Sequence, residues 1–209
     1  MLRSVKRQLI EFDGHTVVCG LTRSGKTWAV KESLRGQKSG TLFFNVQHEL
    51  LPNDYIKAGS RDSRRAILRG LDKGCKINYI PSTDLDRQAL ELSCLIEMLY
   101  DGLKRDVILV VDEVHLFTGK DVKRQLIRVA TTGLRYGIRG VWISQRPANI
   151  QNTLMTQSNK FVFFKMNMEY QYLAGHGIPG ERIGEVVKQG GKYAYCTFDW
   201  GDISGPFRV

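Results

Sequence analysis

The stretch Gly20-Leu21-Thr22-Arg23-Ser24-Gly25-Lys26-Thr27 decides how this chain is read. It fits the pattern Gly-x-x-x-x-Gly-Lys-Ser/Thr and lies directly between an apolar run, His15–Cys19, and a helical window, Trp28–Leu34. Strand before and helix after are the context in which this pattern cradles phosphate. Gly20 and Gly25 let the backbone turn so that successive N–H groups and the helix N-terminus face an anion. Lys26 then reaches the β- and γ-phosphates of a nucleotide, and the Thr27 hydroxyl ligates Mg²⁺. The residues expected to hold ATP are Gly20, Leu21, Thr22, Arg23, Ser24, Gly25, Lys26, Thr27 and Trp28.

Working outward, Val107–Val111 is an apolar run that ends in Asp112-Glu113. Asp112, at the strand tip, is suited to support the Mg²⁺ hydration shell opposite Thr27. Glu113, one residue on, is placed to orient or deprotonate a water that attacks the γ-phosphate. A third run, Gly140-Val141-Trp142-Ile143, ends in Ser144-Gln145-Arg146-Pro147. If this strand lies between the phosphate-loop strand and the Asp112 strand, Gln145 faces the γ-phosphate and can sense its presence.

The rest of the chain gives these sites a frame. It has 209 residues, 42% of them hydrophobic and 25% charged, a balance that excludes a disordered or fibrous chain and suits one domain. Apolar β-rich runs alternate with helical windows, which predicts an α/β fold with a mostly parallel central sheet flanked by helices. The expected strands are His15–Cys19, Thr41–Asn45, Lys76–Ile80, Val107–Val111, Val141–Ser144 and Phe161–Lys165, and the clearest helix is Leu85–Tyr100, behind cap candidates Ser82-Thr83-Asp84. Past Gly175 the texture turns glycine-rich, and Lys192–Thr197 with Ile203–Arg208 predicts an antiparallel hairpin added at the sheet edge. The expected organisation is a single domain over 1–209, with a motor core at about 11–166 and an edge addition at about 167–209.

Lys and Arg number 31 against 21 Asp and Glu, a formal net charge of +10 that points to a polyanionic partner. Two basic groups stand out. One is Lys120, Lys123, Arg124, Arg128, Arg135 and Arg139, and the other runs from Arg61 to Lys76 inside a polar segment that begins at Pro52. Nearby Tyr136 and Trp142 are expected to be core residues. No run approaches the ~20 apolar residues that span a bilayer, and no secretory leader is visible. The four cysteines, Cys19, Cys75, Cys94 and Cys196, have no metal-ligand spacing and are expected to be reduced and mostly buried.

Together, Gly20–Thr27, Val107–Glu113 and the strand ending Ser144-Gln145-Arg146-Pro147 resemble the HerA–FtsK superfamily of DNA-pumping ATPases. The Gly133-Leu134-Arg135-Tyr136-Gly137 helix exit adds to the likeness, which covers roughly Glu11 to Met166. A core of this length is similar to the genome-packaging ATPases of membrane-containing double-jelly-roll double-stranded DNA viruses. The resemblance implies a RecA-like core in a homo-oligomeric ring, a hexamer being one candidate, that hydrolyses ATP with Mg²⁺ and drives duplex DNA into a preformed capsid. On this sequence it assigns Lys26, Thr27, Asp112, Glu113 and Gln145 the roles given above. A charge from the next subunit would come from Arg124, Arg128, Arg135 or Arg146, with Arg128 and Arg135 favoured. DNA would be met through its backbone without sequence reading, and the implied partners are capsid-vertex or membrane proteins. The implied location is the host cytoplasm or the packaging vertex of the virion, without secretion.

Other readings are a nucleotide kinase with an arginine-rich lid at Arg61–Arg69, a nucleotide-gated assembly protein, and a conjugative or extrusion motor. The adjacent Asp112-Glu113 pair and the Ser-Gln strand tip fit water activation better than an acceptor site.

Overall fold

A computed structural model describes residues 5–48, 54–167 and 170–209. Met1–Ser4 of the basic N-terminus and the Pro52 start of the polar segment lie outside the described residues. Ten strands form one sheet in the order β1-β10-β9-β8-β2-β7-β6-β3-β5-β4. In chain order they are β1 (Lys6–Arg7), β2 (Thr16–Cys19), β3 (Gly40–Phe44), β4 (Tyr55–Gly59), β5 (Lys76–Ile80), β6 (Val107–Val111), β7 (Ile138–Ser144), β8 (Lys160–Phe163), β9 (Tyr195–Phe198) and β10 (Ile203–Arg208). Every pairing from β8 across to β4 is parallel, whereas β9 is antiparallel to both β8 and β10.

The parallel strands are apolar throughout because helices cover both faces. Their side chains alternate with a period of two. Val17, Leu42, Phe44, Leu109 and Val111 pack on one face, against α2 (Arg64–Asp72), α3 (Leu85–Gly102), α4 (Lys120–Thr132), α5 (Asn152–Thr156), α6 (Tyr170–Gly175) and α7 (Gly180–Gly190). Val18, Phe43, Ile108 and Val110 pack on the other, against α1 (Lys26–Arg35) and the Ile10–Phe12 segment. Each side chain so buried stabilises the fold by roughly 1.5–3 kcal/mol over leaving it in water. The loop therefore stands on a strand with a packed layer on either side.

The predicted hairpin forms, with its first strand shifted to Tyr195–Phe198. Of the three cap candidates, Asp84 caps α3 by accepting the Arg87 N–H at 2.8 Å. Four expectations need correction. α4 ends at Thr132, and Gly133–Tyr136 form a 3₁₀ turn closed by Gly137 at φ 73°, so Arg135, grouped above with Arg124 and Arg128, lies beyond the helix that carries them. Arg139 belongs to β7, not to an exposed basic face: it donates to Phe12 O at 3.0 Å and to Ser39 Oγ at 2.7 Å. Tyr136 is 54% exposed, while Trp142 is fully buried as expected. Cys19 and Cys196 are buried, but Cys75 and Cys94 are only partly so; burial pushes the Cys196 thiol up to about 12, which keeps it protonated and inert.

Candidate active site

In an open parallel sheet, ligands bind beyond the carboxyl ends of the strands. β2 delivers the phosphate loop there. Its first residues are pinned between neighbouring strand ends, with Gly20 N donating to Ser144 O at 3.4 Å and Leu21 N to Lys165 O at 2.8 Å. The loop needs its glycines: a Cβ at Gly20 would stand 2.6 Å from Phe164 Cβ, and Gly25 sits at φ 97°. Arg23 also takes a left-handed φ of 61°, and the Ser24 N–H behind it closes the turn onto Leu21 O at 3.1 Å. The first N–H groups of α1 have no acceptor within their own helix. Ser24 Oγ is buried without a hydrogen-bond partner, an orphaned donor that a phosphate oxygen would satisfy. Lys26 is 7% exposed and donates to Leu21 O at 3.0 Å, so its ammonium is folded back over the loop.

β7 lies between β2 and β6, the order on which the reading of Gln145 depended. At the tip of β6, Asp112 is 2% exposed and accepts the Glu113 N–H through Oδ1 at 3.1 Å. Glu113 is 5% exposed and occupies a left-handed turn at φ 47°, which swings its carboxylate back across the strand ends. There its Oε1 accepts from Gln145 Nε2 at 2.9 Å, and Gln145 Oε1 accepts from Thr22 Oγ1 at 3.0 Å. A chain of hydrogen bonds thus joins phosphate loop, Gln145 and Glu113.

Two further residues join this cluster that sequence reasoning missed. Gln47, just beyond β3, donates to the same Glu113 Oε1 at 2.5 Å. His115 Nδ1 lies 3.3 Å from Glu113 Oε2 and 3.2 Å from Ser144 Oγ. A polar residue beyond each strand end is the signal they share, but it points to the site only once the strand order is known.

Thr27 and Asp112 offer a hydroxyl and a carboxylate, the hard oxygen set that suits Mg²⁺ shared with substrate phosphates. Among the described residues no three or more His, Cys, Asp or Glu gather into an all-protein metal cage. Of the arginines expected to act in trans, Arg146 directly follows Gln145 at the tip of β7, whereas Arg124, Arg128 and Arg135 lie on or just beyond α4. Arg128 sits 3.8 Å over the ring of Tyr100, whose hydroxyl donates to Arg128 O at 2.9 Å. Arg124, Arg135 and Arg146 are exposed. α4 runs back toward the start of β7, so Arg128 and Arg135 stand at the end of the molecule away from its own loop. The Arg61–Arg69 segment is carried partly by α2, which packs on β3 and β5, three and four strands from β2. At ~4.8 Å per strand that is about 14–19 Å to the side, so α2 does not roof the loop.

Loop, acidic strand tip and strand order together define a P-loop nucleoside triphosphatase. The chain belongs to the AAA domain family (AAA_22), which it matches over residues 10–137. It is also similar to the DNA double-strand break repair helicase HerA of Saccharolobus solfataricus, 25% identical over 131 residues covering 54% of this chain and 25% of that protein. The HerA helicase of Sulfurisphaera tokodaii is 32% identical over 69 residues, which cover 31% of this chain and 14% of the helicase. The chain thus matches a quarter or less of the length of these curated relatives. Among solved structures, the genome packaging NTPase B204 of Sulfolobus turreted icosahedral virus 2, in complex with ATP-gammaS, superposes with a TM-score of 0.71. Identity there is 16%, over 96% of this chain and 100% of that one. EssC of Geobacillus thermodenitrificans (ATPases 2 and 3) gives a TM-score of 0.53 at 14% identity, over 94% of this chain and 40% of that one. The resemblance to the HerA–FtsK group drawn from the motifs holds.

Proposed function

We propose that this chain is an ATP-hydrolysing motor that translocates double-stranded DNA and packages a viral genome into a preformed capsid. The observation that carries the reading is the hydrogen-bonded line from Thr22 through Gln145 to Glu113, which ties the general-base candidate to the loop that would hold the phosphates. Support for the packaging task is the end-to-end likeness in fold to B204, which is the whole length of that NTPase.

In the proposed motor the backbone N–H groups at the start of α1 and the Lys26 ammonium bind the triphosphate. Thr27 and Asp112 would hold Mg²⁺, which would supply charge neutralisation for the nucleotide phosphates. The Glu113 carboxylate takes the proton of the attacking water. Gln145 exchanges its Thr22 contact for the γ-phosphate, and the strand tip it sits on relays that change to Ser144 and His115. Arg135, or Arg128 once released from Tyr100, supplies positive charge to the loop of the next copy in a ring. Standing away from their own loop, these arginines act only in trans.

Exposed Lys120, Lys123, Arg124 and Arg128 on α4, with Arg135 beyond it, would grip DNA phosphates without base contacts. On α2, Arg64, Arg65 and Arg69, with Arg61 before it, form a second exposed group. The whole span 1–209 works as one motor domain in this reading, since β9 and β10 continue the sheet that carries the loop. Movement is tested by displacement of a third strand from a triplex: ATP-dependent release on duplex tracks supports a translocase. No release beside brisk ATP hydrolysis contradicts it.

A further inference from the structure

The phosphate loop, Glu113 and Gln145 follow the carboxyl ends of β2, β6 and β7. At the amino ends of β3, β5 and β6, each five residues long, a cavity of about 220 Å³ opens. A strand of that length sets it about 16 Å back along the sheet from the strand tips. Lys38, Ser39, Lys73, Gly74, Arg105 and Asp106 line it, among others. Small-molecule sites run from roughly 300 Å³ upward, so this space suits one anionic group rather than a nucleotide.

Three connections build the cavity: Lys38 lies between α1 and β3, Lys73 between α2 and β5, and Arg105 between α3 and β6. Parallel pairing draws them together, with Gly40 opposite Val107 and Thr41 opposite Lys76. Thr41 N donates to Cys75 O at 3.1 Å. Gly74, at φ 80°, lets the second connection close on the first, since a Cβ there would stand 2.8 Å from Lys38 O. Lys38, Lys73 and Arg105 are exposed, and among the described residues none of their side chains has an ion pair or a hydrogen bond. The carboxylates nearby are engaged elsewhere: Asp106 Oδ2 lies 3.7 Å from Arg139 Nη2, and Asp72 Oδ1 accepts the Lys104 N–H at 3.0 Å. A cleft lined by one sign of charge focuses its field on whatever enters.

We propose that this cavity seats one phosphate of a duplex DNA backbone, held jointly by Lys38, Lys73 and Arg105. The proposal rests on the reading that the chain binds duplex DNA, and it joins basic groups that otherwise stand apart. Exposed Arg69 precedes Lys73 by one helical turn on α2, while exposed Lys104 adjoins Arg105. Arg128 and Arg135 stand at the same end of the molecule, so the cavity links the α2 and α4 groups into one track across the amino ends of the strands. Phosphates recur along a duplex, so a strand seated here meets further cations on either side. Such contacts position the duplex without reading its sequence. Lys38 and Arg105 belong to neither basic group picked out along the chain, because only the strand pairing brings them beside Lys73.

The test is fluorescence anisotropy of a labelled duplex, and of labelled polyglutamate, titrated with the full chain over a salt series. One variant combines Lys38→Gln, Lys73→Gln and Arg105→Gln; a control combines Lys57→Gln, Arg87→Gln and Arg182→Gln, which removes the same charge from scattered exposed positions. Because the salt slope counts neutralised phosphates, the cavity variant should lose about 0.9 from the slope of log affinity against log salt, the value for one phosphate. Its duplex affinity should fall about eightfold at ~0.1 M salt, a loss that fades toward ~1 M, with DNA-free ATP hydrolysis unchanged. An unchanged slope, a loss near 2.7 that would mean three separate phosphates, or an equal loss in the control overturns the proposal. So does a variant that keeps duplex binding but loses polyglutamate, which would assign the cavity to an acidic protein. Failure of the unaltered chain to bind the duplex at the lowest salt would strike the DNA reading itself, and this proposal with it.

Discussion

Gln145 Nε2 donates to Glu113 Oε1 at 2.9 Å, joining the tips of two adjacent strands, while the Gln145 carbonyl oxygen is held by Thr22 of the loop. Both ends of one side chain are thus engaged by the two groups between which a γ-phosphate and its attacking water would come. In the proposed motor this one carboxamide would couple nucleotide binding to the positioning of the base.

Loss of the base should separate binding from chemistry. Glu113→Gln keeps the shape and can still meet Gln47 and Gln145, so ATP should bind normally while hydrolysis falls by about two to four orders of magnitude. Lys26→Ala should abolish both. Calorimetry beside a phosphate-release assay checks the pair, and near-normal turnover in Glu113→Gln would move the base elsewhere.

Gln47 donates to the Glu113 oxygen that Gln145 also occupies. Two donors on one carboxylate oxygen lower its basicity and restrain it. Gln47→Ala should therefore raise DNA-free hydrolysis several-fold. A fall in that rate would show that Gln47 aims the carboxylate rather than restraining it.

Arg139 was grouped by sequence with a DNA-facing cluster, but its guanidinium ties β7 to Phe12 and Ser39, with a side chain only 17% exposed. Arg139→Ala should cost about 1–3 kcal/mol in a urea unfolding curve, because it leaves the buried Phe12 carbonyl and the partly buried Ser39 hydroxyl without this donor. DNA affinity should not change. The reverse pattern would return Arg139 to the DNA-binding face.

His15 is 1% exposed, accepts the Gly140 N–H on Nδ1 at 2.9 Å, and is held down to about 4 by burial. An unfolded chain takes up this proton near pH 6.5 and the folded chain only near 4, so the unfolded state binds more protons between those values. Stability should be unaffected by this group above pH 6.5 and fall as pH drops toward 4, by on the order of 3 kcal/mol in total. His15→Gln, which keeps an acceptor for Gly140, should flatten that part of the pH profile of the urea midpoint.

The buried strands and the loop were legible because burial on both faces demands continuous apolar runs, as in Val107–Val111, and because the loop's glycines and lysine stand at fixed spacing. β4 was not, since Tyr55 is the single buried residue of a five-residue edge strand. Edge strands need little apolar patterning. The position of Gln145 was readable only as a condition on strand order, a long-range property that local sequence does not carry. Gln47 and His115 were invisible for the same reason: their partners lie on other strands and loops. The separation of Arg135 from Arg124 and Arg128 was not legible either, because it depends on Gly133–Tyr136 tightening into a 3₁₀ turn.

A DNA motor must couple ATP hydrolysis to its DNA track. The most direct measurement is the ATP hydrolysis rate with and without duplex DNA across a salt series. Duplex DNA should raise the rate at low salt, regardless of its sequence, and the stimulation should decline steeply as salt displaces the phosphate contacts. A rate indifferent to duplex DNA at every salt concentration would contradict the motor and leave a P-loop ATPase of another task.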